Sequence, residues 1–251
     1  MSAAFRQTSP TSDASPVLAP AASWKRRRGR RAAPVPADKR VFDIAVALFL
    51  IILLAPLMAL VALWVRLDSP GPVLFRQRRA GLHGAAFTLL KFRTMRPAPP
   101  PRAGAPWSAR LAAIQPPPHA GAVTRAGRFL RRSRLDELPQ LFNVLAGDMS
   151  LVGPRPHMYE LDALFAAELP HIVLRRAALP GLTGLAQIRG RIGPTPDARA
   201  MAARLDDDLD YIRRRSLLLD VGILLATPLA LLRAPGRGRA PFALSIGRHP
   251  R

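Results

Sequence analysis

Two adjacent carboxylates, Asp136 and Glu137, stand in the stretch Ser133-Arg134-Leu135-Asp136-Glu137-Leu138-Pro139-Gln140-Leu141, with Arg128, Arg131, Arg132 and Arg134 just upstream. A carboxylate among guanidiniums keeps a low pKa. That suits it poorly to general-base work but well to attack on a phosphorus whose oxygens the guanidiniums neutralise. A neighbouring carboxylate could hold Mg²⁺, which would take the charge of a leaving diphosphate. The same residues also make an ordinary helix start, with Asp136 as N-cap, Glu137 favouring the helix dipole and Pro139 tolerated in a first turn. Downstream, Arg155 lies between Pro154 and Pro156 in Gly147-Asp148-Met149-Ser150-Leu151-Val152-Gly153-Pro154-Arg155-Pro156. Pro156 pushes Arg155 toward an extended conformation, and a guanidinium on a stiff backbone loses less entropy in a two-pronged phosphate contact. A rigid turn with a solvent-facing Arg is the plainer reading.

The scaffold for these side chains spans residues 67–233. Asp68-Ser69-Pro70-Gly71-Pro72 is a dense turn signal. Residues 73–79 and 87–95 read as two short strands around Gly81-Leu82-His83-Gly84, a hairpin with a cationic side made by Arg76, Arg78, Lys91 and Arg93. Residues 96–122, with Pro97, Pro99, Pro100, Pro101, Pro106 and Pro116-Pro117-Pro118, form a loop or lid. Helix is expected over 127–134, where it is basic and amphipathic, over 139–145, over 161–178, and over 198–215 with Asp206, Asp207, Asp208 and Asp210. Residues 217–232 are apolar but interrupted by Asp220 and Pro228, which suits a helix lying in a membrane interface.

Ahead of this body, residues 44–65 carry no charge, and that length of helix rises about 33 Å, just enough to cross a hydrocarbon core. Pro56 in its middle removes a backbone hydrogen bond and should bend the helix. Both flanks are basic, Lys25 to Arg31 with Lys39 and Arg40 before, and Arg66, Arg76, Arg78 and Arg79 after, so the positive-inside rule orients no span. A helix over 38–66 that enters, bends at Pro56 and leaves by the same face keeps both flanks cytoplasmic. A straight span and a buried soluble helix are the alternatives. Residues 1–37 read as a disordered basic tail, solvated or touching anionic lipid headgroups, and 234–251 as a second basic tail. The apolar stretch begins too late for a signal peptide.

The 251 residues carry 38 Lys plus Arg against 16 Asp plus Glu, a formal charge of +22, yet 49% of them are apolar. That combination fits a globular body with one hydrophobic attachment and an attraction for phosphates. The absence of Cys excludes a disulfide scaffold, a thiolate nucleophile and zinc–thiolate or iron–sulfur sites. Nucleic acid is not an expected partner, because the charge is spread along the chain and no aromatics interleave the basic run.

In order along the chain, several motifs resemble the bacterial sugar transferases, the small monotopic phosphoglycosyl transferases of surface-polysaccharide and glycoconjugate assembly. They are Lys39-Arg40-Val41-Phe42-Asp43, the Pro-broken apolar segment, Lys91-Phe92-Arg93-Thr94-Met95, Leu135 through Leu145, Met149 through Pro156, and Pro180-Gly181-Leu182-Thr183-Gly184-Leu185-Ala186-Gln187. The resemblance covers about residues 39–233. It implies transfer of a sugar 1-phosphate from a UDP-sugar to polyprenyl (undecaprenyl) phosphate with loss of UMP, needing Mg²⁺. It implies a mixed α/β, mostly helical monotopic enzyme of the bacterial inner membrane, facing the cytoplasm, with a re-entrant helix, a short β-hairpin and interfacial amphipathic helices. By the same resemblance Asp136 is the nucleophile, through a covalent aspartyl phosphosugar intermediate, and Glu137 associates with Mg²⁺. Arg131, Arg155 and Arg191 match phosphate and nucleotide contacts, and Lys91 and Arg93 a basic pair toward substrate. Asp208, Tyr211 and Asp220 match recurrent positions read as structural.

Three features depart from the family. Ala55 stands where Ser often precedes the proline, Ala120-Gly121-Ala122-Val123 stands where an acidic-x-Arg group is frequent, and the proline-rich 96–122 replaces an acidic loop. A homodimer is left open. The competing reading is a non-catalytic polybasic membrane scaffold or regulator with the same fold.

Overall fold

The computed structural model describes residues 35–96, 123–158, 162, 165–166, 169–192 and 198–233. The two basic tails lie outside the described residues except for 35–37, and so does the proline-rich stretch except for Arg96. The described structure is mostly helical, with one antiparallel hairpin and one short parallel strand pair.

The first helix, α1, runs Ala37–Asp68 and carries Pro56 inside it. It is long and apolar enough to cross a membrane, yet both of its halves pack on the same body. Phe42, Val46, Ala47, Leu50 and Ile51 join a core with Leu141, Val144, Met149, Leu151, Tyr211 and Ile223. Leu57, Met58, Val61, Ala62 and Val65 join another with Phe92, Leu130, Leu135 and Leu138. Polar bonds pin each end. Arg40 donates to the carbonyls of Val144 and Leu145 at 2.7 and 2.8 Å, Lys39 pairs with Asp220 at 2.5 Å, and the Leu151 N–H donates to Asp43 at 3.2 Å. At the far end the Ala126 N–H donates to Asp68 at 3.0 Å. The outward side presents Leu48, Phe49, Ile52, Leu53, Leu60, Leu63 and Leu67 to the surroundings.

The hairpin pairs β1 (Leu74–Ala80) with β2 (Ala86–Phe92) in the register Gln77↔Leu89 and Phe75↔Lys91. Its turn holds His83 and Gly84 at φ 55 and 80, the left-handed region. The second strand ends at Phe92, three residues short of the expected Met95, because its partner β1 begins at Leu74 after the Pro70–Pro72 turn; the Arg93 guanidinium turns into the end of α1. The next helix, α2 (Arg125–Ser133), is capped by Thr124, whose hydroxyl accepts from the Gly127 N–H at 3.0 Å. Then come a 3₁₀ turn over Leu135–Glu137, α3 (Gln140–Ala146), and β3 (Ser150–Val152), which is buried throughout.

Of the helix expected over 161–178, the described residues 162, 165 and 166 are helical, but Pro170–Ala177 is a 3₁₀ stretch. Pro170 lacks the N–H that would continue a preceding helix, so the chain restarts there. A short strand, β4 (Gly181–Thr183), then pairs parallel with β3. The strands meet through glycines. A Cβ on Gly181 would collide with the Gly153 nitrogen and the Thr183 oxygen, and one on Gly184 with the Gly153 oxygen. Three helices close the fold: α4 (Leu185–Ile188), α5 (Ala198–Arg214) and α6 (Leu217–Arg233). Tyr211 of α5 bonds the Val152 carbonyl and Asp220, both at 2.9 Å, so α1, α5, α6 and β3 share one buried polar network. The structural reading of Tyr211 and Asp220 agrees with this placement.

Candidate active site

Two cations converge on Glu137 from different parts of the chain. Lys91, near the end of β2, reaches Glu137 Oε1 at 2.9 Å, and Arg155, in the loop after β3, reaches the same oxygen at 2.7 Å and Oε2 at 3.4 Å. Strand alternation puts Lys91 on the face of Phe87 and Leu89, which are core residues, so its ammonium emerges beside α3 rather than on the open hairpin surface. Arg134, with φ 61, reverses the chain between α2 and the 3₁₀ turn and aims Asp136 and Glu137 back at β2. Such strain in a non-glycine residue is characteristic of sites where geometry must be held.

The pair is electrostatically unequal. Burial pushes both carboxyls up, but the Arg155 and Lys91 charges outweigh it at Glu137 and hold that carboxyl well below the usual range. At Asp136 burial wins over the pull of Lys91, and its carboxyl lies above the ordinary value. The low pKa read from the surrounding arginines therefore applies to Glu137 and is corrected for Asp136. Most of those arginines point elsewhere, since Arg131 and Arg132 are exposed on α2. Nor does Asp136 cap a helix: α3 has Pro139 as its N-cap and no side-chain cap bond. Asp136 Oδ1 is buried and has no hydrogen-bond partner among the described residues.

Of the expected substrate contacts, Lys91 and Arg155 gather at Glu137 and the others do not. Arg93 is buried at the end of α1, where it donates to the Val65 carbonyl at 3.1 Å and the Ser69 carbonyl at 2.5 Å. It anchors the end of α1. Arg131 donates to Thr94 at 3.0 Å, one residue beyond Arg93. Arg191 pairs with Asp207 of α5, which also holds Arg189 at 2.7 Å. Pro56 lies within α1, away from these groups in sequence and bonding.

Sequence reasoning missed two residues that build the site. Arg175 is buried, holds Asp208 at 2.6 Å and donates to the Arg155 backbone carbonyl at 2.8 Å, fixing the loop from behind. Asn143 donates to the Thr88 carbonyl and accepts from the Leu90 N–H. Neither carries a local signal, because the backbone groups each side chain holds at the site, the Arg155 carbonyl for Arg175 and the Thr88 carbonyl and Leu90 N–H for Asn143, lie 20 or more residues away in the chain. His157, beside this loop, is pushed down to about 3, chiefly by burial, so it stands neutral and adds no charge to the site.

The donor set can be tested against Mg²⁺. No cluster of three or more acidic or histidine side chains occurs among the described residues. Mg²⁺ commonly uses one or two carboxylates and takes its remaining ligands from phosphates and water. Glu137 Oε2 has only the 3.4 Å contact to Arg155, so it is the carboxylate oxygen that fits one position on such an ion, while Asp136 Oδ1 stays unpartnered among the described residues.

A helix long and apolar enough to cross a membrane packs on a body in which paired carboxylates meet two buried cations, an arrangement suited to binding phosphate. The family model for bacterial sugar transferases matches residues 36–234, and the chain belongs to that family. It is 49% identical over 194 residues to a UDP-glucose:undecaprenyl-phosphate glucose-1-phosphate transferase of Caulobacter vibrioides, covering 77% of this chain and 69% of that protein. It is 42% identical to an exopolysaccharide production protein of Rhizobium leguminosarum bv. phaseoli, covering 75% of this chain and 92% of the relative. A UDP-N-acetylgalactosamine-undecaprenyl-phosphate N-acetylgalactosaminephosphotransferase of Aeromonas hydrophila is 38% identical, with 75% and 42% covered. The chain spans less than half the length of several further relatives that share the Caulobacter protein's name.

Proposed function

We propose that this chain transfers a sugar 1-phosphate from a UDP-sugar to polyprenyl phosphate, releasing UMP, as the first committed step in building a surface polysaccharide. The observation that carries the reading is the unpartnered, buried oxygen of Asp136 set beside Lys91, Glu137 and Arg155. Unsolvated and unbonded, that oxygen is available to attack the sugar-bearing phosphorus once ionised. The Asp136–phosphorus bond forms as the bridge to UMP breaks, and the bridging electron pair leaves on the UMP phosphate. An oxygen of the lipid phosphate then attacks the same phosphorus, and the Asp136 carboxylate is freed. Lys91 and Arg155 neutralise the phosphoryl oxygens, and Glu137 keeps both cations in place. Glu137 would hold Mg²⁺, which when bound would supply further neutralisation of the diphosphate.

The bonds at both ends of α1 support the re-entrant reading and a cytoplasmic body. Residues 39–43 and 65–69 are tied to one body, so a helix inserted between them returns to the side it left. Anionic lipid at that surface suits the basic flanks. The test is UMP release by the full chain in nanodiscs containing polyprenyl phosphate, over UDP-glucose, UDP-galactose and their N-acetylated forms. Asp136→Asn should abolish turnover, and the unmodified chain given a UDP-sugar without lipid acceptor should gain the mass of one sugar phosphate on Asp136. UMP release retained in Asp136→Asn would overturn the mechanism.

A further inference from the structure

Asn143 lies buried within α3, six residues after Glu137, and touches none of the charged groups at the centre. Its carboxamide serves mainly β2, with one longer contact of 3.4 Å from Nδ2 to Asp148 Oδ2. Oδ1 accepts from the Leu90 N–H at 3.0 Å and Nδ2 donates to the Thr88 carbonyl at 2.7 Å. The opposite edge of β2 is already paired with β1, so these two backbone groups need partners from elsewhere. A carboxamide offers the donor and acceptor of a peptide unit, and one side chain thus replaces a third strand. The bonded segment ends directly before Lys91.

Two further bonds extend the arrangement. The Asn143 backbone carbonyl accepts from the N–H groups of Asp148 and Met149 at 3.1 and 3.2 Å, tying α3 to the start of β3 and so toward Arg155. Glu137 itself lies three residues before the first residue of α3. The carboxylate and the root of Lys91 are therefore both referenced to one seven-residue helix. A lysine has a long flexible stem, and its ammonium finds a single partner reproducibly only if its backbone is held.

We propose that Asn143 is a positioning residue: by bonding the β2 backbone at Thr88 and Leu90 it sets the reach of Lys91 to Glu137, and with it the cation that meets the transferred phosphoryl group. The proposal rests on the phosphoryl-transfer reading above for its catalytic consequence, but its geometric content does not.

Asn143→Asp retains the acceptor for Leu90 and turns the donor into an oxygen facing the Thr88 carbonyl and, at longer range, the Asp148 carboxylate; Asn143→Ala removes these bonds. Either should lower kcat roughly 10- to 100-fold, the scale of a misplacement near 1 Å, while KM for the UDP-sugar stays within about threefold. In a Lys91→Met background, adding Asn143→Asp should lower kcat by no more than about twofold, since the group it acts through is gone. Variants that melt earlier yet keep the unmodified kcat below their melting temperature would make Asn143 a structural residue only, and full additivity with Lys91→Met would overturn the link. If Asn143→Ala does not fold, the Asp variant carries the test. If the unmodified chain releases UMP from no UDP-sugar, the functional reading fails on its own. The coupling is then read from melting temperatures, where additive Tm shifts of Asn143→Asp and Lys91→Met would overturn the positioning role.

Discussion

The close approach of β4 to the Arg155 loop gives a sharp prediction. Gly181 donates to the Pro154 carbonyl at 2.9 Å, Gly153 donates to the Thr183 carbonyl at 2.9 Å, and Ser150 donates to the Pro180 carbonyl at 2.9 Å. A methyl group added at 181 would overlap the Gly153 nitrogen, which is backbone and has no rotamer to move into. Restoring ordinary contact requires the strands to separate by roughly 1 Å, which stretches these bonds beyond useful length. Overpacking at about 1–3 kcal/mol, plus one or two buried backbone groups left unpaired at about 1–3 kcal/mol each, gives a loss of roughly 3–5 kcal/mol for Gly181→Ala. On a body of this size that is a fall of about 6–20 °C in Tm. Arg155 follows Gly153 by two residues, so a shift of that order should also cost about 100-fold in kcat/KM.

The contrast is Gly222→Ala on α6, where the new methyl meets nothing within 4 Å and helix propensity favours Ala by about 0.5–1 kcal/mol. Both variants are read by thermal unfolding in nanodiscs and by UMP release. A Gly181→Ala protein that melts within about 2 °C of the unmodified one and keeps most of its activity would refute the reasoning, since 1 kcal/mol alone moves Tm by that much.

Glu137→Gln should lose turnover and about 3–5 kcal/mol of stability at neutral pH, because Lys91 and Arg155 would remain buried without a counter-charge. A carboxyl whose folded pKa is depressed stabilises the fold above its unfolded pKa, about 4.3, and that contribution is lost as pH falls through the folded value. The Tm gap between the two proteins should therefore be full at pH 7 and narrow below about pH 4, as followed by unfolding scans across pH. Tyr211→Phe removes the hydroxyl that bonds the Val152 carbonyl and Asp220, and should cost about 1–3 kcal/mol in a denaturation midpoint while leaving the Glu137 cluster in place.

The order and extent of most elements were legible in the sequence because they depend on neighbours. Apolar periodicity and Pro and Gly punctuation decide α1, the hairpin, α2, α3, α5 and α6 within a few residues of their own chain, whereas the Thr124 cap that starts α2 at Arg125 rather than 127 was not read. The adjacency of Asp136 and Glu137, and the stiff setting of Arg155, were equally plain, since covalent spacing alone provides them. What the residues around a carboxylate do to it was not. The arginines nearest in sequence to Asp136 mostly face away, and the charge that governs Glu137 comes from Lys91 and Arg155, 46 and 18 residues distant. Lys91 and Arg93 look like one basic pair on paper, yet the strand ends between them and sends one to the site and the other to the end of α1. Asn143 and Arg175 carry no local mark because a carboxamide or guanidinium acquires its role from the backbone it meets. Sequence by itself determined which groups exist and what each stretch of chain becomes. Tertiary structure decided which charges share a desolvated space, because Coulomb and desolvation energies depend on distance and burial rather than on position along the chain.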